Sequence, residues 1–224
     1  MRRVIGAILG GVLAVGLLGS AAGAAPAPAA QANSTATLSA IHAIPNTPVD
    51  VYVNGTLTVP DFQPGTIAGP LSLGAGRYVI KLNAVGTKDT LLRKAFVLKA
   101  GVNYSVAAFL AADGSPVMKA FRNDTSPTGQ GMASLTVRHV AAAPAVDVWA
   151  NGSVVFHKLS NGQSRGATVP KGVYAAWASL AGDFVPVIGP AVLKLDAGVA
   201  YIAYAWGDGS SGYGLVVQTI DVGR

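Results

Sequence analysis

Two stretches of the sequence repeat one pattern 97 positions apart, and this repeat constrains the fold more than any other feature. The first is IHAIPNTPVDVYVNG at residues 41–55, and the second is RHVAAAPAVDVWANG at residues 138–152. In each stretch a His is followed eight residues later by an Asp, and the segment ends in Asn-Gly. Solenoid units are usually about 20 to 50 residues long, so a repeat of this length indicates a duplicated domain.

Within each copy, apolar residues alternate with smaller or polar ones, which is the period of a half-buried β-strand. Asn54-Gly55 and Asn151-Gly152 predict two-residue hairpin turns, because both central residues of a type I′ turn have positive φ. Asp113-Gly114 and Asp208-Gly209 predict a second hairpin in each copy. Roughly seven or eight short strands per copy are typical of a β-sandwich. We therefore predict an all-β fold of two tandem immunoglobulin-like antiparallel β-sandwich domains.

The composition supports strands and turns and excludes several kinds of chemistry. All 10 acidic residues are Asp, and the chain carries 28 Gly and 13 Pro, which disfavour helices. The absence of Cys excludes disulfides, thiolate metal ligands and Cys nucleophiles. The formal net charge of +6 comes from scattered basic residues, and no run of basic residues carries interleaved aromatics, so no nucleic-acid partner is predicted.

The N-terminus has the three parts of a secretory signal peptide. Met1-Arg2-Arg3 is followed by an apolar run at 4–18 and by small residues at 19–24. That run is about 15 residues long and is too short for a comfortable membrane span, so cleavage is favoured over a retained anchor. The mature protein is then expected to be secreted or cell-wall associated, without a transmembrane segment. The predicted organisation is a signal peptide at 1–24, a flexible segment at 25–34, β-sandwich domains at 35–122 and 133–224, and a linker at 123–132.

One polar pair is kept by both copies, namely His42 with Asp50 and His139 with Asp147. The pair could be a shared ligand or metal contact. The favoured alternative is a His–Asp hydrogen bond that joins neighbouring strands, because a buried polar group needs a partner. One His and one Asp per copy are too few for a zinc site, which takes at least three protein ligands. We predict no catalytic residue, metal or cofactor.

Three aromatic residues of the second copy are candidates for a binding strip. Most aromatic residues alternate within strands and recur between the copies, which indicates core positions. Trp177, Tyr204 and Trp206 belong to the second copy's own strands. If their side chains face outward, they could stack on sugar rings or contact a partner.

Two glycine motifs resemble catalytic or nucleotide-binding signatures. Residues 162–166, GQSRG, match G-x-S-x-G, but a nucleophile elbow needs a following helix and a later His. Here ATVP follows and the last His is His157, so a loop is predicted. Residues 207–212, GDGSSG, match G-x-G-x-x-G, but a strand follows where the phosphate-binding helix should begin, so a hairpin turn is predicted.

The segment A-x-H-x-x-P-x-x-P-V-D-V-Y-V-N-G at residues 40–55 resembles the opening of a bacterial extracellular family, domain of unknown function 4397. The strand after a Gly turn at 76–79 and the Leu-x-Ala-Gly-x-x-Tyr segments at 98–104 and 195–201 resemble it as well. The second copy departs from the pattern, with Ala142 and Ala145 for Pro45 and Pro48, and Trp149 for Tyr52. The resemblance implies a secreted or surface-attached β-sandwich and provides no catalytic residues.

These observations together predict a non-catalytic binding or structural protein that acts outside the cell or in the cell wall. The expected partner is a polysaccharide or a protein. A carbohydrate-binding module is the narrower alternative, and a secreted hydrolase is the alternative that the residue patterns favour least.

Overall fold

The computed structural model describes residues 34–223, which form sixteen β-strands and no helix. The prediction of an all-β fold with two tandem sandwiches is confirmed. The predicted signal peptide at 1–24 and residues 25–33 of the predicted flexible segment lie outside the described residues.

The first copy contains β1 (Thr35–Ala43), β2 (Val49–Val53), β3 (Thr56–Phe62), β4 (Thr66–Gly74), β5 (Gly76–Ala84), β6 (Thr90–Leu98), β7 (Asn103–Leu110) and β8 (Pro116–Arg122). The second copy contains β9 (Met132–Ala142), β10 (Val146–Ala150), β11 (Ser153–Leu159), β12 (Ser164–Pro170), β13 (Gly172–Leu180), β14 (Pro186–Leu195), β15 (Val199–Asp208) and β16 (Gly212–Asp221).

The strands form four sheets, two in each copy. The first inner sheet has the order β4-β1-β7-β8, and the first outer sheet has the order β3-β2-β5-β6. The second copy repeats these orders with every strand number raised by eight. Its inner sheet is β12-β9-β15-β16, and its outer sheet is β11-β10-β13-β14. Neighbouring strands are antiparallel except for the parallel pairs β1–β7 and β9–β15. The structure therefore repeats the duplication seen in the sequence.

Each copy is a sandwich of its inner and outer sheets around an apolar core. In the first sandwich, Leu38 and Val106 from the inner sheet meet Val51 and Leu82 from the outer sheet. In the second, Val137 and Ala203 meet residues of β10, β11 and β13. Alternate residues of the central strands supply most of these cores, as the period of two predicts.

The two inner sheets also pack against each other. Ile41, Phe109 and Phe121 of the first copy share a buried cluster with Val140 and Ile202 of the second. Every residue of β7 from Tyr104 to Phe109 is therefore buried, because one set of alternate side chains enters its own sandwich and the other set enters this cluster. The described residues form a four-layer stack with the order outer, inner, inner, outer.

The Asn-Gly turns confirm their sequence prediction. Asn54 and Gly55 have φ values of 51° and 89°, and Asn151 and Gly152 have φ values of 49° and 81°, so each pair closes a two-residue hairpin. In both copies the Asn Oδ1 also accepts a backbone N–H across the sheet at 2.9 Å. The Asn therefore shapes the turn and ties it to the neighbouring strand.

Candidate functional site

The two repeated histidines are buried and bound to backbone carbonyls. His42 is 0% exposed and its Nε2 donates to the Thr47 carbonyl at 2.6 Å, while the Nε2 of His139 donates to the Pro144 carbonyl at 2.9 Å. Because a carbonyl oxygen can only accept, Nε2 carries the proton in both rings. Burial lowers the pKa of both histidines, against the smaller raising effect of these hydrogen bonds. Both imidazoles are therefore neutral members of the fold.

Asp147 holds the edge strand β11 and the turn between β13 and β14. Its Oδ1 accepts the backbone N–H of Lys158 at 2.7 Å, and its Oδ2 accepts that of Gly182 at 2.9 Å. The bonds from Gly182 and then Lys158 lower the pKa of Asp147. Lys158 has a φ of 49°, so the carboxylate fixes a strained residue in the edge strand β11.

Asp50 does the same in the first copy, where its oxygens accept the N–H groups of Asp61 at 3.0 Å and Gly86 at 3.3 Å. Asp61 has a φ of 46°, which matches Lys158 in position and conformation. The expected His–Asp hydrogen bond forms in neither copy within the described residues. It is replaced by separate hydrogen bonds between each side chain and the backbone, because each group finds main-chain partners in neighbouring strands and turns.

Tyr204 is 0% exposed, so its place in an exposed aromatic strip is a wrong prediction. It lies on the face of β15 that packs against the first copy, where it joins a polar network between the inner sheets. Arg138, only 2% exposed, donates to the Tyr204 hydroxyl at 2.6 Å and to Asn123 Oδ1 at 2.7 Å. The Tyr204 hydroxyl donates to Gln218 Oε1 at 2.9 Å, and Gln218 Nε2 donates to Ser39 Oγ at 3.1 Å.

The buried guanidinium of Arg138 has no carboxylate within 4.0 Å among the described residues. Its charge lies 4.5 Å from the ring centroid of Phe121 and 5.3 Å from that of Tyr204. Burial lowers the pKa of Arg138 and raises the pKa of Tyr204. Sequence reasoning missed this network, although the 97-residue offset places Arg138 where the first copy has the apolar Ile41.

Trp206 is half-buried and packs against the cluster between the inner sheets. Its indole lies beside Gly65 and Gly214, at a hollow that Pro45 and Asn46 also line. Trp206 and Trp177 belong to different sheets, so the three predicted aromatic residues do not form one strip.

Trp177 lies on the second outer sheet as the register partner of Trp149. The two indole rings stack with centroids 5.6 Å apart and planes 5° from parallel, and the ring of Phe184 lies 5.4 Å from that of Trp149. Trp149 Nε1 donates to Ser179 Oγ at 2.9 Å. Val148 and Ala178, the strand neighbours of the two indoles, point into the core, so Trp149 and Trp177 lie half-buried on the opposite side of this sheet.

Aliphatic side chains extend this group of aromatic rings. Tyr174 of β13 pairs with Leu193 of β14, and both side chains point into the core. Their preceding neighbours, Val173 and Val192, therefore lie on the opposite side of the sheet. We call the surface made by Trp149, Val173, Trp177, Phe184 and Val192 the aromatic–apolar face.

The two glycine motifs occupy turns and strands. Residues 207–212 form the hairpin between β15 and β16, as predicted. Residues 162–163 form a turn, but Ser164 already begins β12, so the loop prediction is wrong for 164–166. Ser164 Oγ lies 3.4 Å from Arg138 Nε.

Within residues 34–223, no group of three or more His, Cys, Asp or Glu side chains could hold a metal ion. No helix there has the length and apolar character needed to cross a membrane.

The fold and these placements define a protein of two stacked β-sandwiches whose repeated polar residues hold turns and loops. The chain belongs to the family described as Domain of unknown function (DUF4397), whose model matches residues 36–149. The match covers the first sandwich and ends in β10, so the second copy rests on the repeated sheet order and not on the family model. A comparison with curated proteins finds no match.

Proposed function

We propose that this protein is a non-catalytic binding module that acts outside the cell or in the cell wall and presents the aromatic–apolar face to a protein partner. One observation carries the proposal. Of the large apolar side chains described, five are more than 60% exposed, and four of these, Val173, Phe184, Val185 and Val192, lie on this face or beside it. Concentrated apolar exposure of this kind is typical of interaction sites.

The fold itself does not require apolar residues at these positions. The equivalent strand of the first copy carries Lys81 where the second has Trp177, and Arg77 where the second has Val173. Both copies form the same sheets, so the apolar side chains serve something other than folding.

The ring geometry favours a protein over a sugar as the partner of this face. Stacking on a pyranose requires an open aromatic face, whereas Trp149 and Trp177 stack on each other and the ring of Phe184 lies 5.4 Å from that of Trp149 at an angle of 52°. Ring edges and branched aliphatic groups suit the apolar core of a protein interface. The repeated His and Asp side chains bond to backbone, which supports a structural role for them and a non-catalytic function for the chain.

The test compares partner capture by matched variants. Immobilised wild-type protein and the variant V173S/V192S are incubated with envelope proteins of the cells that make the protein. The matched control is L57S/V97S, which removes two exposed aliphatic side chains from the first copy. We expect V173S/V192S to capture at least about tenfold less of the partner proteins that the control still captures, because few side chains supply most of the binding energy of an interface. Equal retention by both variants would contradict the proposal.

Location is tested separately by cell fractionation. We expect the protein in the medium or the cell-wall fraction, shortened by the predicted signal peptide. Full-length protein confined to the cytosol would contradict the extracellular part of the proposal.

A further inference from the structure

We propose that the opposite end of the stack carries a second binding site, specific for a carboxylate-bearing polysaccharide. The site lies on the solvent side of the first outer sheet, on a surface made by Tyr52, Arg77, Lys81 and Arg93, which we call the cationic face. It is separate from the aromatic–apolar face, so either site can exist without the other.

Strand register places the charges together. Lys81 in β5 is the partner of Arg93 in β6 on one side and of Tyr52 in β2 on the other. Its ammonium lies 4.5 Å from the centroid of the Tyr52 ring, which orients it over the sheet. Arg77 lies four residues earlier on the same side of β5, about 13 Å away along the strand. The cations thus form a row along and across one sheet face.

A surface depression of about 470 Å³ lies beside Lys81 and Arg93. Asn54 and Gly55 of the hairpin turn and Val79 complete its lining. Asn54 Oδ1 accepts the backbone N–H of Val79 at 2.9 Å, whereas its Nδ2 has no protein partner among the described residues. The depression therefore offers two cations for a carboxylate, an amide donor for a hydroxyl and an aliphatic surface for the C–H side of a sugar ring.

The three cations are not neutralised by the protein. Within residues 34–223, the ion pairs closer than 4.0 Å are His157–Asp147 and Lys194–Asp196, which lie in the second copy. Asp50 shares the outer side of this sheet, but both of its oxygens accept backbone N–H groups.

The surplus positive charge belongs to the first copy. Residues 35–122 contain eight Lys and Arg against four Asp, whereas residues 123–224 contain six of each. An excess of one sign on an accessible surface attracts a ligand of the opposite sign.

The second copy is an internal comparison for this site. Asn151 keeps the turn and the cross-strand bond of Asn54, with its Oδ1 accepting the N–H of Ala175 at 2.9 Å. Lys81, in contrast, is replaced by Trp177. The turn is therefore needed for the fold and the cation is not, which assigns the cation to binding.

The recessed shape favours a glycan over an anionic membrane. A bilayer surface contacts the side chains that project furthest, whereas Asn54 and Val79 line the depression. The mixture of hydroxyl-binding and carboxylate-binding groups also favours an acidic sugar over inorganic or polymeric phosphate.

The test measures binding of the purified protein to polygalacturonate at low ionic strength, with neutral dextran, polyphosphate and phosphatidylglycerol vesicles as comparisons. An ion pair near the surface contributes little by itself, so each single substitution should weaken binding only modestly. The two effects combined should make K81Q/R93Q bind polygalacturonate about tenfold more weakly. The matched control R165Q/K171Q removes the same charge from exposed positions of the second copy and should stay within about twofold of wild type.

The remaining outcomes also decide the proposal. V173S/V192S should bind polygalacturonate like wild type, which separates this site from the aromatic–apolar face. Equal losses in K81Q/R93Q and R165Q/K171Q would show an effect of net charge only and would overturn the proposal. So would an absence of binding to polygalacturonate, or tighter binding to polyphosphate or to the vesicles.

Discussion

Replacing Arg138 tests whether the polar network between the inner sheets stabilises the stack. The guanidinium is 2% exposed and donates to the Tyr204 hydroxyl and Asn123 Oδ1 at 2.6 and 2.7 Å. R138A leaves both acceptors buried without this donor, and each such loss costs about 1–3 kcal/mol. Relief of the buried charge offsets part of this cost, because no carboxylate of the described residues pairs with it. We expect a net loss of about 2–4 kcal/mol in the free energy of unfolding.

R138M separates packing from hydrogen bonding, because it fills the space and removes the donor. It should cost about 1 kcal/mol less than R138A, since it leaves a smaller cavity. R138M and Y204F each break the same Arg138–Tyr204 hydrogen bond, so the double variant should be at least about 1 kcal/mol more stable than the sum of the single effects predicts. The first copy has Ile41 at the position equivalent to Arg138, which shows that the sheet accepts an apolar residue there.

Urea unfolding followed by tryptophan fluorescence and circular dichroism measures these differences, and coincidence of the two signals checks that unfolding is cooperative. A loss below about 0.5 kcal/mol for R138A, or strict additivity of R138M and Y204F, would refute the reasoning. Either result would mean that the network only accompanies the apolar contact between the inner sheets.

Three further predictions concern groups that hold the fold. Burial disfavours the charged ring and so holds the pKa values of His42 and His139 below the ordinary 6.5. The unfolded chain therefore binds more protons, and the free energy of unfolding should fall as the pH drops below 6.5. Constant stability in urea titrations between about pH 7.5 and 5 would contradict this. G65A places a Cβ against the indole of Trp206 at a φ of 72° and should cost about 1–3 kcal/mol, with a smaller cost in a W206A background; equal costs in both backgrounds would argue against the contact. D147N replaces one of the two carboxylate oxygens that accept the N–H groups of Lys158 and Gly182, so it should lower the thermal unfolding midpoint. An unchanged midpoint would contradict this.

Local features of the fold were predictable because they depend on neighbouring residues. The Asn-Gly pairs fix their turns through positive φ, and the 97-residue repeat predicts that one copy's strands recur in the other. The partners of His42 and Asp50 were not predictable in the same way. Both bond to backbone groups, and the backbone carries no signature in the sequence.

The burial of Tyr204 depended on packing between the copies. Alternation along β15 shows which side chains share a face, but it does not show whether water or another sheet covers that face. Here the first inner sheet covers it, so a side chain expected to be exposed became part of a network. The sequence did carry one sign of this burial, since Ile41 of the first copy corresponds to Arg138 of the second. A duplicated position that changes from apolar to charged indicates that its surface has a different role in the two copies.

The most direct test of the proposed binding role uses the absence of Cys from the sequence, which makes any introduced Cys a unique attachment point. A photoactivatable crosslinker is attached to V192C, whose position is 77% exposed on the aromatic–apolar face, and to V97C, whose position is 66% exposed on the first outer sheet. Illumination in the presence of envelope proteins should crosslink a protein partner through V192C and not through V97C. Crosslinks through V97C alone, or identical products from both positions, would contradict the assignment of the aromatic–apolar face as the protein-binding surface.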